Sequence, residues 1–479
     1  MTLEDNPGIT AKSIGELAEI IRTEAISPVD VMNAFLQGIE KLNPKINAVV
    51  TLATDAMEKA REAEAAVTRG DALGPLHGVP VTIKDTIETA GLRTTSGSVM
   101  RAEFLPERDA PAVSRLKAAG AIVLGKTNAA EMAMDYTADN PVFGRTNNPY
   151  NLSLTPGGSS GGEGAAIASC LSAGGIGSDL AGSIRIPAHF CGIAGLKPTV
   201  GRVPGAGQFP PSIGPYSLGA AIGPMARSVS DLQLLFEVLA GMETSAPSGD
   251  KTRKLLESRR TSMGGWRVAC YADDGVSPVS EETQNALETA ARALADAGLI
   301  IVRTRPPGIE RGHDLWLEIF SRASVVQLRN VYDGHQEKAG DFVRWRLATA
   351  DDTPLPSLDD YINSWLERDR LRASLVEWME ATPLILAPVG ATPAYPHDTH
   401  KVTVGDRTLN TFRAFSYSQT FNVFDLPVVV VPAGKSSEGV PIGVQIIGRP
   451  FAEETVLAAA AIIEEATGGW QPPPLSGEL

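Results

Sequence analysis

Val79-Pro80-Val81-Thr82-Ile83-Lys84-Asp85 decides the fold. Five apolar or β-branched residues end abruptly on a charged pair, which reads as a short buried strand delivering Lys84 to its end. Downstream, a helix is expected at about 110–119 and a strand at Ala121–Leu124. A buried apolar helix follows at Ala165–Leu171. Strand, helix and strand at short intervals give an α/β layered core. Strands return at Leu384–Pro388, Val428–Pro432 and Gly443–Ile447, with a last helix from about 452 to 466. Strands so far apart are expected to join one mixed sheet covered by helices on both faces, within a single domain spanning 1–479.

Upstream, residues 1–70 read as helices packing on that core. Ser13 and Glu16 form a capping box, and Ser27-Pro28 restarts a helix with Pro in its first turn. Residues 202–224 are rich in Gly and Pro and are expected to form a pocket rim or lid. The segment 245–380 reads as a helical insertion carrying Trp316, Trp345, Trp365 and Trp378.

Composition narrows the function. The chain has 479 residues, 43% apolar and 20% charged, and a net charge of −14. That balance opposes nucleic-acid binding, which needs a basic face. Cys170, Cys191 and Cys270 are scattered, without metal-ligand spacing, as in a reduced cytoplasmic protein. The N-terminus is acidic without an apolar core, so no signal peptide is expected, and no run is long enough to span a membrane.

Two loops carry the chemistry. Ser159 sits in Thr155-Pro156-Gly157-Gly158-Ser159-Ser160-Gly161-Gly162, and Ser183 in Gly177-Ser178-Asp179-Leu180-Ala181-Gly182-Ser183-Ile184-Arg185. Small residues around a hydroxyl let backbone N–H groups approach a reacting atom. Three local matches are set aside. Gly120 to Thr127 fits a phosphate-binding loop, but its Ala-Ile-Val-Leu interior is itself a strand. Ser114 and Lys117 fit a serine–lysine spacing on a charged helix face, without companion motifs. Gly157 to Gly161 fits a nucleophile elbow, but no strand precedes it and none of the downstream histidines has a distinctive setting. A serine still needs a base. Lys84, desolvated at a strand end, is the best placed, with surface pairing to Asp85 as its alternative.

These residues resemble the amidase signature family of serine hydrolases. The resemblance rests on Gly78 to Asp85, Gly125-Lys126-Thr127-Asn128, Gly144 to Pro149, Gly157 to Glu163, Gly177 to Pro187 and Gly195-Leu196-Lys197-Pro198-Thr199. It covers 75–200 strongly and 245–380 poorly, as expected of a substrate-tuning region. It implies a Ser–cisSer–Lys triad, with Ser183 as nucleophile, Ser159 as bridge after a cis peptide, and Lys84 as base. It also implies an oxyanion hole of backbone N–H groups at Leu180, Ala181, Gly182 and Ser183. Asp179 and Arg185 would brace the loop as an ion pair, Ser160 would support it, and Ala133 would line the acyl pocket. No cofactor or metal is implied. The expected substrate is a small amide, ester or carbamate with an apolar or aromatic part, handled by a monomer or homodimer. Ala181 stands where many relatives have Gly, which requires that this residue not need a positive φ. Ile186 stands where the tRNA-dependent amidotransferase member of the family typically has Gln. The alternative reading, an A-type subunit of such an amidotransferase, is weakened accordingly.

Overall fold

The Lys84 strand lies inside an eleven-stranded mixed sheet. The computed structural model describes residues 8–242, 249–350, 352 and 356–478. Parts of the expected N-terminal and 245–380 segments, namely 1–7, 245–248, 351 and 353–355, lie outside the described residues. The strands are β1 (Val49–Leu52), β2 (Pro80–Lys84), β3 (Ile122–Thr127), β4 (Gly174–Asp179), β5 (Ala194–Lys197), β6 (Ala221–Ala226) and β7 (Arg267–Cys270). They continue with β8 (Ile300–Arg303), β9 (Leu384–Pro388), β10 (Lys401–Val404), β11 (Arg407–Asn410), β12 (Val428–Lys435) and β13 (Pro441–Gly448). Sheet order is β1-β3-β2-β4-β6-β5-β12-β13-β9-β7-β8, and β10 and β11 form a separate ribbon.

β2 runs parallel to both β3 and β4, with Thr82 opposite Gly125 on one side and Gly175 on the other. The carboxyl ends of β2 and β4 therefore emerge together, the position where open α/β sheets hold ligands. Close approach explains why β4 is glycine-rich. A Cβ on Gly175 would sit 2.1 Å from the Thr82 carbonyl oxygen and 2.2 Å from Glu163 Oε1.

The N-terminal helices form as read. Ser13 and Glu16 close a reciprocal capping box on Ile14–Arg22, and Ser27 caps Pro28–Ile46. One hydrophobic core runs through the sheet and its helices. The segment 245–380 differs from the helical expectation, because it also supplies β7 and β8 to one edge of the sheet. Part of it builds a second, small core of Met132, Leu328, Tyr332, Ala339 and Val343, beside the turn that carries Ala133. The Gly/Pro-rich 202–224 segment is pinned along the chain that follows Lys84. Phe209 N–H donates to Thr86 O at 2.8 Å, and Gly207 O accepts from Glu88 N–H at 2.8 Å. Among the described residues, no helix is long and apolar enough to cross a membrane.

Candidate active site

Lys84 ends β2 with its whole side chain enclosed. Its Nζ donates to Ser159 Oγ at 2.7 Å and to Ser178 Oγ at 2.9 Å. The surface-pairing alternative with Asp85 is therefore not what the fold adopts: Asp85 accepts from the N–H and hydroxyl of Thr95 instead. Burial pushes the Lys84 ammonium down to about 7, against the pull of Asp179 and Glu163. Glu163, also enclosed, takes the Thr82 hydroxyl at 2.7 Å and the Thr127 hydroxyl at 2.6 Å. Burial raises it to about 7, opposed by those hydroxyls and by Lys126 and Lys84. Lys84 and Glu163 thus both change charge near neutrality.

Ser159 follows a cis peptide from Gly158. The first turn of the helix Gly161–Ala168 brings Ser160 N–H to Ser183 O at 3.1 Å, which joins the two serine loops. Ser160 Oγ lies 3.4 Å from both the N–H and the carbonyl of Ser178 and so braces the same junction. Lys84 and Ser159 are 0% exposed and Ser183 is 6% exposed, so Ser183 is the member of the three open to a substrate.

The loop after β4 is organised by Asp179. Arg185 meets it with Nη2 at 2.9 Å and Nε at 3.1 Å, both side chains enclosed. Burial opposes the Asp179 charge, but Arg185 and the surrounding donors outweigh it and hold the carboxyl well below its usual range. Asp179 also accepts the N–H of Gly182 at 2.9 Å and of Ile184 at 3.0 Å. Gly182 is therefore not a free donor, contrary to the expected oxyanion set. It contributes its conformation instead: φ is +107°, and a Cβ there would lie 2.7 Å from Ser418 Cβ. The N–H groups of Leu180, Ala181 and Ser183 have no partner among the described residues. Ala181 keeps a negative φ, so its methyl is tolerated.

Ala133 sits in the short turn Glu131–Ala133, with φ +57°. The turn is tied to the site by Ala130 N–H, which donates to Ser159 O at 3.2 Å. Ile186, the residue that stands in place of the amidotransferase Gln, is enclosed and packs beneath the loop, 3.0 Å from where a Gly182 Cβ would stand.

Several residues escape a reading of the sequence. Ser178 is a second hydroxyl on Lys84 and accepts from Gln208 Nε2 at 2.9 Å. Tyr136 donates to Ala181 O at 2.8 Å, Trp316 Nε1 donates to Leu180 O at 3.0 Å, and Asn422 Nδ2 donates to Asp179 Oδ1 at 3.0 Å. Ser178 lies inside the quoted motif, so only its role goes unseen. The others reach the loop from far away in sequence with no local signature. A second buried lysine, Lys126, donates to Ile87 O and to the hydroxyls of Thr89 and Thr94. It touches no serine and holds a turn, as fits the rejected phosphate-loop match.

Chemically, this is a slightly exposed hydroxyl, a buried amine near its neutral point, and three unpaired backbone donors in the loop that carries the first hydroxyl. A family model described as Amidase matches residues 30–457. The A-type subunit of glutamyl-tRNA(Gln) amidotransferase from Heliobacterium modesticaldum is 33% identical, covering 95% of this chain and 97% of that one. Fatty-acid amide hydrolase 2 of Homo sapiens is 31% identical, over 95% of this chain and 89% of its own. Among solved structures, a bacterial aryl acylamidase of the amidase signature family superposes with a TM-score of 0.83 at 26% identity, covering 95% of this chain and 96% of that one.

Proposed function

The chain belongs to the amidase family, and we propose that it hydrolyses small amides through an acyl-enzyme on Ser183. Neutral Lys84 takes the proton of Ser159 as Ser159 takes that of Ser183, and Ser183 Oγ attacks the carbonyl carbon. The negative oxygen is received by the N–H groups of Leu180, Ala181 and Ser183. The proton returns through Ser159 to the leaving nitrogen, the C–N bond breaks, and water then releases the acid by the same relay. The observation that carries this reading is the enclosed 2.7 Å contact between Lys84 Nζ and Ser159 Oγ.

The same acyl-serine route accepts ester and carbamate carbonyls. Support for an apolar or aromatic substrate comes from the ring series Trp316, Phe412 and Phe342, and from the small core beside Ala133. We assign the protein to the cytoplasm as a monomer or homodimer acting without nucleic acid; its three buried free cysteines fit a reducing compartment. The experiment is a panel of anilide, amino-acid amide, ester and carbamate substrates, run on the wild type and on Ser183→Ala. Turnover by the isolated chain, lost in Ser183→Ala, is expected. The second reading, an A-type amidotransferase subunit, is favoured by the identity to such subunits. It would show as glutamine-dependent ammonia release only with a partner chain.

A further inference from the structure

We propose that Trp316 is a positioning residue for the oxyanion: by gripping the Leu180 carbonyl it aims the Ala181 N–H at the reacting carbonyl. The proposal rests on Ser183 as nucleophile. A trans peptide group is planar, with its C=O and N–H pointing to opposite sides. A donor that holds the carbonyl from outside therefore fixes the direction of the next residue's N–H. The three unpaired N–H groups belong to the peptide groups whose carbonyls are Asp179 O, Leu180 O and Gly182 O. Each carbonyl is held from behind. Asp179 O accepts from Asn422 Nδ2 at 3.3 Å, Gly182 O from Ile186 N–H at 2.7 Å, and Leu180 O from Trp316 Nε1 at 3.0 Å.

Asn422 and Ile186 belong to the scaffold around Asp179 and Arg185. Asn422 also bonds the Asp179 carboxylate, and Ile186 lies in the first turn of the helix Arg185–Cys191 that follows Ser183. Trp316 comes from 245–380, the segment that matches the family pattern poorly. Its ring is 7% exposed and stacks on Phe412 at 5.9 Å, and Phe412 stacks on Tyr136 at 4.6 Å. Tyr136 donates to the next carbonyl, Ala181 O. One aromatic stack therefore carries donors to two consecutive carbonyls of the loop.

The helix Gly312–Trp316 serves both. His313, three residues before Trp316 and so on the same helix face, donates through Nδ1 to Gln419 Oε1 at 2.6 Å. Gln419 Nε2 donates to Tyr136 OH at 2.8 Å. Accepting a hydrogen bond at the carbonyl also polarises the peptide, which makes its N–H a stronger donor. Trp316 thus acts on Ala181 in direction and in strength.

The test replaces Trp316 site-specifically with β-(3-benzothienyl)alanine, which keeps the bicyclic shape and puts sulfur where the N–H was. Trp316→Phe is made alongside. On an anilide, kcat should fall about 10–100-fold with KM held within about twofold, since misaiming one oxyanion donor costs less than removing it. Affinity for a boronic acid, which mimics the tetrahedral state, should fall by the same factor. Affinity for the carboxylic acid product should not move, and the protein should still unfold in a single cooperative transition a few degrees or less below the wild type. Tyr136→Phe should lose less than the benzothienyl variant, because the N–H on its peptide belongs to Gly182 and is tied to Asp179. Unchanged kcat in the benzothienyl variant, or a loss confined to KM, would overturn the proposal while Ser183→Ala remains inactive. Activity surviving in Ser183→Ala would instead overturn the reading beneath it.

Discussion

The groups proposed to react and the groups proposed to aim them come from different regions. Lys84, Ser159, Ser178 and Ser183 stand at the carboxyl ends of β2 and β4 or in the loops beside them; short buried hydrogen bonds join Lys84 to Ser159 and Ser178, and the Ser160 N–H ties the Ser159 loop to the Ser183 carbonyl. Trp316, Tyr332, Phe342 and Phe412 belong to helices and turns outside the sheet, and they meet through ring stacks and the small second core. In the first region the backbone fixes position, because adjacent strands leave no freedom. In the second, large side chains fix it, and they can be exchanged without disturbing the sheet. Changes in the first region should remove the chemistry, whereas changes in the second should misaim it where a side chain holds a loop carbonyl, as at Trp316, and elsewhere cost discrimination between substrates.

The sharpest way to break that division is Ser183→Ala. It should lower kcat by about 10⁴-fold or more with the thermal unfolding curve unmoved, as for a triad whose members act as a unit. Lys84→Ala comes next, at about 10²–10⁴-fold on an amide. The loss should be smaller on an activated ester, whose leaving group needs no proton; equal losses would remove Lys84 as proton source. Asp179→Asn should cost about 3–5 kcal/mol of stability in denaturant unfolding, because Arg185 is left as an uncompensated buried charge. A pH profile follows in size. Lys84 is active when neutral, so kcat/KM should fall about tenfold per unit as pH drops below about 7 and the amine gains its proton. Glu163→Gln removes a charge that raises Lys84, so that acid limb should move to lower pH; a limb shifted upward would refute the coupling. The smallest effect is expected in the second region. Tyr332 donates to Glu131 Oε1 beside the Ala133 turn. Tyr332→Phe should cost about 1 kcal/mol, read as a few-fold rise in KM with kcat unchanged. A kcat loss at Tyr332, which holds no carbonyl of the Ser183 loop, would erase the division.

What can be read in advance follows the same division. β2, β9 and the capped N-terminal helices are legible because apolar runs and caps are local signals. β4 is not, because Gly174-Gly175-Ile176-Gly177-Ser178-Asp179 has the composition of a loop. It is a strand because only glycine fits between Thr82 and Glu163. β7 and β8 are four residues each inside a charged helical segment, too short to show a period. Lys84, Ser159 and Ser183 are legible through their motifs. Ser178 is visible but unassigned, since nothing in a sequence says that one lysine will donate to two hydroxyls. Trp316 and Tyr136 act on carbonyls 136 and 45 residues away, and no local pattern encodes such a contact. Gly182 is legible for the wrong contribution: its N–H is taken by a carboxylate that folding alone brings near.

Lys84 and Ser159 have no exposed surface of their own, and of the three groups Ser183 alone meets the outside. A proton delivered to Lys84 during acylation meets no bulk water before the leaving group collects it. On the proposed relay, each proton that leaves with the amine is replaced from the attacking water, so turnover should be indifferent to buffer concentration. No dissolved amine the size of imidazole could reach the empty place of the lysine to stand in for it.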